Sequence, residues 1–129
     1  CITKMEKTMA KKILFVDDSA SMRQILKMSI SGAGYEVDTA DDGKQGLAKS
    51  ETERYNLIIS DVNMPNMNGI DMLKGIKAGR TNKFTPVVML TTEAGDEMKQ
   101  QGKSAGAKVW VVKPFKPEQL LMVIKKLIG

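Results

Sequence analysis

The sequence predicts an α/β protein, a doubly wound parallel sheet built from five βα units, (βα)5, with strand order 2-1-3-4-5. Three observations lead there. Four short, nearly continuous apolar runs, Ile13–Val16, Leu57–Ile59, Val87–Leu90 and Val109–Val112, read as strands covered on both faces. A further segment, Tyr35-Glu36-Val37-Asp38-Thr39-Ala40, alternates strictly, as a half-exposed edge strand does. Segments of helical period separate all of these, and right-handed crossovers between parallel strands then place helices on both faces of one sheet.

Each helix carries its own signals. Ser19 caps the first, which lines up Met22, Ile25, Leu26, Ser29 and Ile30 on one face and is ended by Gly32 and Gly34. Residues 43–54 form the second, around Leu47. The third holds Ile70, Leu73, Ile76 and Lys77 and stops at Gly79. Residues 95–105 give a fourth, polar and weakly patterned. The fifth opens with Pro117 at its first position and carries a stripe of Leu120, Leu121, Ile124, Leu127 and Ile128.

Composition removes several classes of function. The chain has 129 residues, a length for one domain. No histidine is present, which excludes a Ser-His-Asp triad, a histidine metal site and a phosphohistidine carrier. A single cysteine, Cys1, makes neither an internal disulfide nor a cysteine metal cage. No apolar run reaches membrane-spanning length, so no membrane association is expected. The net charge of +5 comes from scattered lysines, and aromatics are only 5%, so nucleic acid is not the expected partner. Residues 1–8 lack an initiating Met and a signal-peptide core, and are expected to be a tag remnant or loose extension, with Met9 as the natural start. Residues 9–129 are then one domain, with no second domain expected after the fifth helix and a reducing cytoplasm as its compartment.

In a sheet of this kind ligands bind beyond the carboxyl ends of the strands. The first strand ends in Asp17-Asp18, the third in Asp61, the fourth in Thr91-Thr92 and the fifth in Lys113-Pro114. Three carboxylates, a hydroxyl and an ammonium are therefore expected at one edge. At about 5 Å and an effective dielectric near 20, each carboxylate pair costs roughly 3 kcal/mol. Lys113 offsets part of this, and a divalent cation offsets more. With oxygen ligands only, that ion is Mg²⁺ or Mn²⁺. Alone, Asp17-Asp18 reads as a charge pair at a helix start, and Lys113 as a surface lysine; their common placement at strand ends is the signal.

These residues match a family. Asp17-Asp18 after a strand, S-D-V-N-M-P-N-M-N-G at 60–69, L-T-T-E-A at 90–94 and W-V-V-K-P-F at 110–115 together resemble the receiver domains of two-component response regulators, and most closely the single-domain, CheY-like chemotaxis regulators. The resemblance spans residues 10–128 and implies a flavodoxin-like fold of the order given above. It implies that Asp61 is the phospho-acceptor, a carboxylate nucleophile. It implies Mg²⁺ held by Asp17, Asp18, Asp61 and the backbone carbonyl of Asn63. Lys113 would pair with Asp61 and then with phosphoryl oxygens, and Thr91 would move toward the phosphoryl group. The Lys113–Pro114 bond is often cis in the family. Trp110 stands where the family more often has Tyr or Phe, at a position that repacks when the threonine moves. Glu93 and Asn63 are implied to tune the lifetime of the phosphoaspartate.

The function expected is a phosphorylation-controlled switch and not an enzyme. The donor is external, a histidine kinase, and the output is contact with another protein, such as a flagellar motor switch or chemotaxis-array component. The chain is expected to act as a monomer. Two alternatives stay open: a Mg²⁺-dependent aspartyl phosphohydrolase, although such enzymes usually carry a second Asp where this chain has Asn63, and a receiver excised from a larger regulator. A flavin module on the same fold fits poorly, because Asp17-Asp18-Ser19 would repel the flavin phosphate.

Overall fold

In this computed structural model residues 11–64, 66–91 and 96–129 are described, with 96–99 described by backbone alone. The expected extension over 1–8, the start at Met9, and Pro65, Thr92 and Glu93 lie outside the described residues. Strands β1 (Lys12–Val16), β2 (Glu36–Ala40), β3 (Leu57–Asp61), β4 (Val87–Thr91) and β5 (Val109–Val112) alternate with helices α1 (Ala20–Gly32), α2 (Gly43–Thr52), α3 (Gly69–Ala78), α4 (Asp96–Ala105) and α5 (Pro117–Ile128). The sheet order is β2-β1-β3-β4-β5 with every neighbouring pair parallel, as the sequence predicts.

Alternation along the strands divides the core in two. Ile13, Phe15, Leu57, Ile59, Val88 and Leu90 meet Leu26 and Ile30 of α1 and Leu120 and Ile124 of α5. Leu14, Val16, Ile58, Val87 and Met89 meet Ile70, Met72, Leu73 and Ile76 of α3, with Leu47 of α2 and Ala105 of α4 at the margin. Each fully buried aliphatic side chain contributes about 1.5–3 kcal/mol over its exposed state. Among the described residues no helix is long and apolar enough to cross a membrane.

Two sequence expectations need correction. Ile25 does not share the buried stripe of α1 and is 52% exposed. It lies roughly 100° around the helix from Leu26, so once Leu26 and Ile30 face the sheet, Ile25 falls on the flank. The β5 run is not covered on both faces: it has a single neighbour, β4, its first three residues are half-buried, and Val112 is 38% exposed.

The helix starts follow the strand ends and are locally capped. The Ser19 hydroxyl accepts from the Met22 N–H, the Asp42 carboxylate from the Gln45 N–H, and the Asn68 side chain from the Asp71 N–H. Pro117 opens α5, and the Lys116 N–H donates to Gln119 Oε1. After α1 the chain reverses through Gly34 at φ +101°, a conformation that favours glycine. Because all strands are parallel, their carboxyl ends gather at one edge, and the site is assembled there.

Candidate functional site

Strand β1 delivers Asp17 and Asp18, β3 delivers Asp61, and the chain leaving β5 delivers Lys113. Carboxylate oxygens of Asp17, Asp18 and Asp61 all lie within 4.8 Å of one another. Asp17 is 1% exposed and Asp61 8%, whereas Asp18 is open to solvent. Lys113 Nζ donates to Asp61 Oδ2 at 3.0 Å and stands 3.7 Å from Asp17 Oδ2. The sequence-predicted convergence of four charged groups is therefore present, and the peptide bond before Pro114 is cis.

Asp17 is a buried carboxylate that is only partly satisfied. Its Oδ1 accepts from the Ser19 N–H at 2.9 Å, but its buried Oδ2 has no hydrogen bond among the described residues. Burial pushes the Asp17 carboxyl above its ordinary 3.8, opposed by the Ser19 N–H and by Lys113, and reinforced by Asp61 and Asp18. A buried oxygen without a hydrogen-bond donor among the described residues, flanked by two more carboxylates, suits a hard divalent cation. The donor set fits Mg²⁺.

Thr91 is fully buried as the last residue of β4, opposite Val112, and its carbonyl accepts from the Lys113 N–H at 2.7 Å. One backbone bond thus ties the threonine to the lysine. Asn63 is exposed in the loop that follows β3. Trp110 shares the α3 side of the sheet and packs at the margin of that core. Its ring fills a notch at Gly102 of α4, where an added Cβ would fall 2.2 Å from Trp110 Cζ3. The indole Nε1 is buried and has no hydrogen-bond partner among the described residues.

Several supporting residues escape a reading of the motifs. Arg23 on α1 donates to the Asp17 carbonyl at 2.6 Å and pairs with Asp41 at 3.4 Å. In the loop after β3, Asn66 takes φ +68° and donates at 2.7 Å to Asp42, the cap of α2. These two N–H donors, from Gln45 and Asn66, hold the Asp42 carboxyl below its usual range. An added Cβ at Gly69 would lie 2.3 Å from the Asp61 carbonyl oxygen, so only glycine lets α3 start so close to Asp61. The visible signals were Asp42-Gly43 and Asn68-Gly69, both pairs of a helix cap and a glycine.

Comparison with known proteins agrees with this geometry. The family model described as "Response regulator receiver domain" matches residues 13–125. The transcriptional regulatory protein ResD of Bacillus subtilis (strain 168) is 36% identical over 124 residues, which cover 96% of this chain and 50% of ResD. The chain thus spans about half the length of that relative. The solved structure of the Vibrio cholerae chemotaxis protein CheY4 superposes with a TM-score of 0.87 at 49% identity, covering 92% of this chain and 98% of CheY4. The receiver domain of the sensor histidine kinase PA1611 from Pseudomonas aeruginosa PAO1, solved with a magnesium ion coordinated in its active-site cleft, superposes with a TM-score of 0.85 at 27% identity, covering 93% of this chain and 98% of that domain.

Proposed function

The chain belongs to the response regulator receiver family, and from that premise we propose that it is a switch phosphorylated on Asp61 by a histidine kinase. The observation that carries this reading is the Asp61 carboxylate held between Lys113 Nζ and two further carboxylates at the carboxyl edge of the sheet.

In the proposed step a carboxylate oxygen of Asp61 attacks the phosphorus of a phosphohistidine. An O–P bond forms, the N–P bond breaks, and the imidazole leaves with its electron pair and takes up a proton. Phosphoryl transfer asks the protein mainly to position groups and neutralise oxygen charge. Lys113, already beside Asp61 Oδ2, moves its contact to a phosphoryl oxygen. Thr91, tied to Lys113 through the backbone, turns its hydroxyl toward the same group. Asp17, Asp18, Asp61 and the Asn63 carbonyl would hold Mg²⁺, which supplies charge neutralisation when bound; the buried, donorless Asp17 Oδ2 and the magnesium in the PA1611 receiver support this set.

Movement of Thr91 then alters the packing of Trp110 and with it the face made by α4, β5 and α5, a shift between two populations whose size depends on how differently phosphate stabilises them. Chemotaxis is the setting favoured by the 49% identity to CheY4, with a flagellar motor switch or array component as the output partner. The match to half of ResD favours a second setting, in which this receiver serves a transcriptional regulator.

Incubation with acetyl phosphate and Mg²⁺ tests the core of the reading. Wild type gains one phosphoryl group by intact mass, Asp61→Asn gains none at the wild-type rate, and Lys113→Arg slows uptake. Uptake by Asp61→Asn at the wild-type rate overturns the acceptor assignment. Phosphotransfer from candidate kinases, followed by binding assays of wild type and Asp61→Asn against candidate output proteins, separates the two settings.

A further inference from the structure

At the edge of the sheet opposite the carboxylates, the segments leading into β3 and β4 form a different kind of surface. Residues 79–86 are anchored by a buried asparagine. Asn82 Oδ1 accepts from the Tyr55 N–H and the Thr85 hydroxyl, and its Nδ2 donates to the Ser50 and Glu53 carbonyls. The anchored segment holds Phe84 out at 88% exposure, with Lys83 Nζ 5.8 Å from the ring centroid.

Beside the phenyl ring lies a hollow of about 260 Å³ lined by Arg54, Tyr55, Arg80, Thr81, Lys83 and Phe84 among others, with no acidic side chain in its lining. Among the described residues none of its three cations takes part in an ion pair. Two acids near Tyr55 are already engaged, Glu53 with Lys12 at 2.6 Å and Asp38 with the Tyr55 hydroxyl at 2.8 Å, and Glu51 lines the adjoining hollow on the other side of Arg80. An exposed aromatic on a fixed backbone, ringed by unpaired arginine and lysine, has the make-up of an interface anchor.

We propose that this hollow docks an acidic segment of a partner protein, with carboxylates on Arg54, Arg80 and Lys83 and an apolar side chain against Phe84. Charge complementarity selects the occupant: three cations without an ion pair among the described residues, in a lining with no carboxylate, call for Glu or Asp. With Tyr55 buried, a single exposed aromatic offers no run of stacking platforms for bases, which weighs against nucleic acid. The hollow opens at the far edge from Asp61, so a partner held here leaves the carboxylate cluster free, and tethering raises the effective concentration of whatever that partner carries. The proposal stands apart from the phosphoryl-transfer reading.

The test uses the full chain and a fluorescein-labelled synthetic peptide rich in Glu and Asp with a central Leu pair, beside a control with Lys in place of the acids. Fluorescence anisotropy is expected to show saturable binding of the acidic peptide alone, weakening as salt rises. Amide shifts are expected to map to residues 54–56 and 80–85. Phe84→Ser, and Arg80→Glu combined with Lys83→Glu, should each weaken binding about tenfold or more while melting at the wild-type temperature. Phosphoryl uptake from acetyl phosphate should be unchanged in both, so a failure here is distinct from a failure of the switch. Lack of saturable binding, undiminished binding by Phe84→Ser, or tighter binding of duplex DNA or phosphatidylserine vesicles at the same residues overturns the proposal.

Discussion

Replacing Asp17 by Asn should make the metal-free protein more stable, although it removes a residue of the site. The pairwise terms nearly cancel. Repulsion from Asp61, within 4.8 Å, is about 3 kcal/mol at an effective dielectric of 20, and solvent-exposed Asp18, more strongly screened, adds about 1–2 kcal/mol. Attraction to Lys113 at 3.7 Å returns about 4 kcal/mol. The Ser19 N–H keeps an oxygen acceptor in the amide. What remains is the cost of burying a carboxylate whose Oδ2 has no hydrogen bond, which Asn avoids, so the variant should gain about 1–2 kcal/mol.

The gain depends on pH in a defined sense. The folded Asp17 pKa lies above the ordinary 3.8. Between 3.8 and that higher value the native state binds a proton that the unfolded chain has released, so stability falls as pH rises through the window. Above the window the full cost is present, and below about 3.8 it is absent. Urea unfolding in EDTA should therefore show Asp17→Asn ahead of wild type near about pH 7, with the difference closing near about pH 3.5. A variant less stable than wild type at neutral pH, or a gain of equal size at both pH values, refutes the reasoning.

Three further substitutions probe the packing, one at the edge opposite the carboxylates and two beside the site. Asn82→Ala leaves the Tyr55 N–H and two carbonyls without partners in a buried setting, and should cost about 3 kcal/mol in urea unfolding. Gly69→Ala drives a Cβ to 2.3 Å from the Asp61 carbonyl; it should destabilise by roughly 2–3 kcal/mol and slow phosphoryl uptake by moving Asp61. Gly102→Ala closes the notch that holds Trp110, so the indole must move, and its fluorescence maximum should shift to the red as the ring enters water.

The parts of this molecule that follow a period were legible in its sequence. Strands such as Leu57–Ile59 and the stripe of α5 are set by local alternation and by burial on known faces, and the three aspartates and Lys113 could be placed together because each ends a strand of one parallel sheet. What the sequence did not disclose depends on close approach between distant segments. The exposure of Ile25 follows from how α1 is rotated on the sheet, which an apolar stripe alone leaves free by about one residue. The half-exposed β5 follows from its place at an edge, whereas its composition matches an inner strand. The Asn66–Asp42 bond, the tight start of α3 at Gly69 and the Trp110–Gly102 notch join residues from different elements, and a motif carries no distance between its members.

The most direct test of the central claim is to locate the phosphoryl group. Wild-type protein treated with acetyl phosphate and Mg²⁺, trapped with borohydride and fragmented by mass spectrometry, should carry its modification on Asp61 and on no other residue. Modification of Asp17, Asp18 or a hydroxyl side chain in place of Asp61, or undiminished modification in Asp61→Asn, contradicts the account.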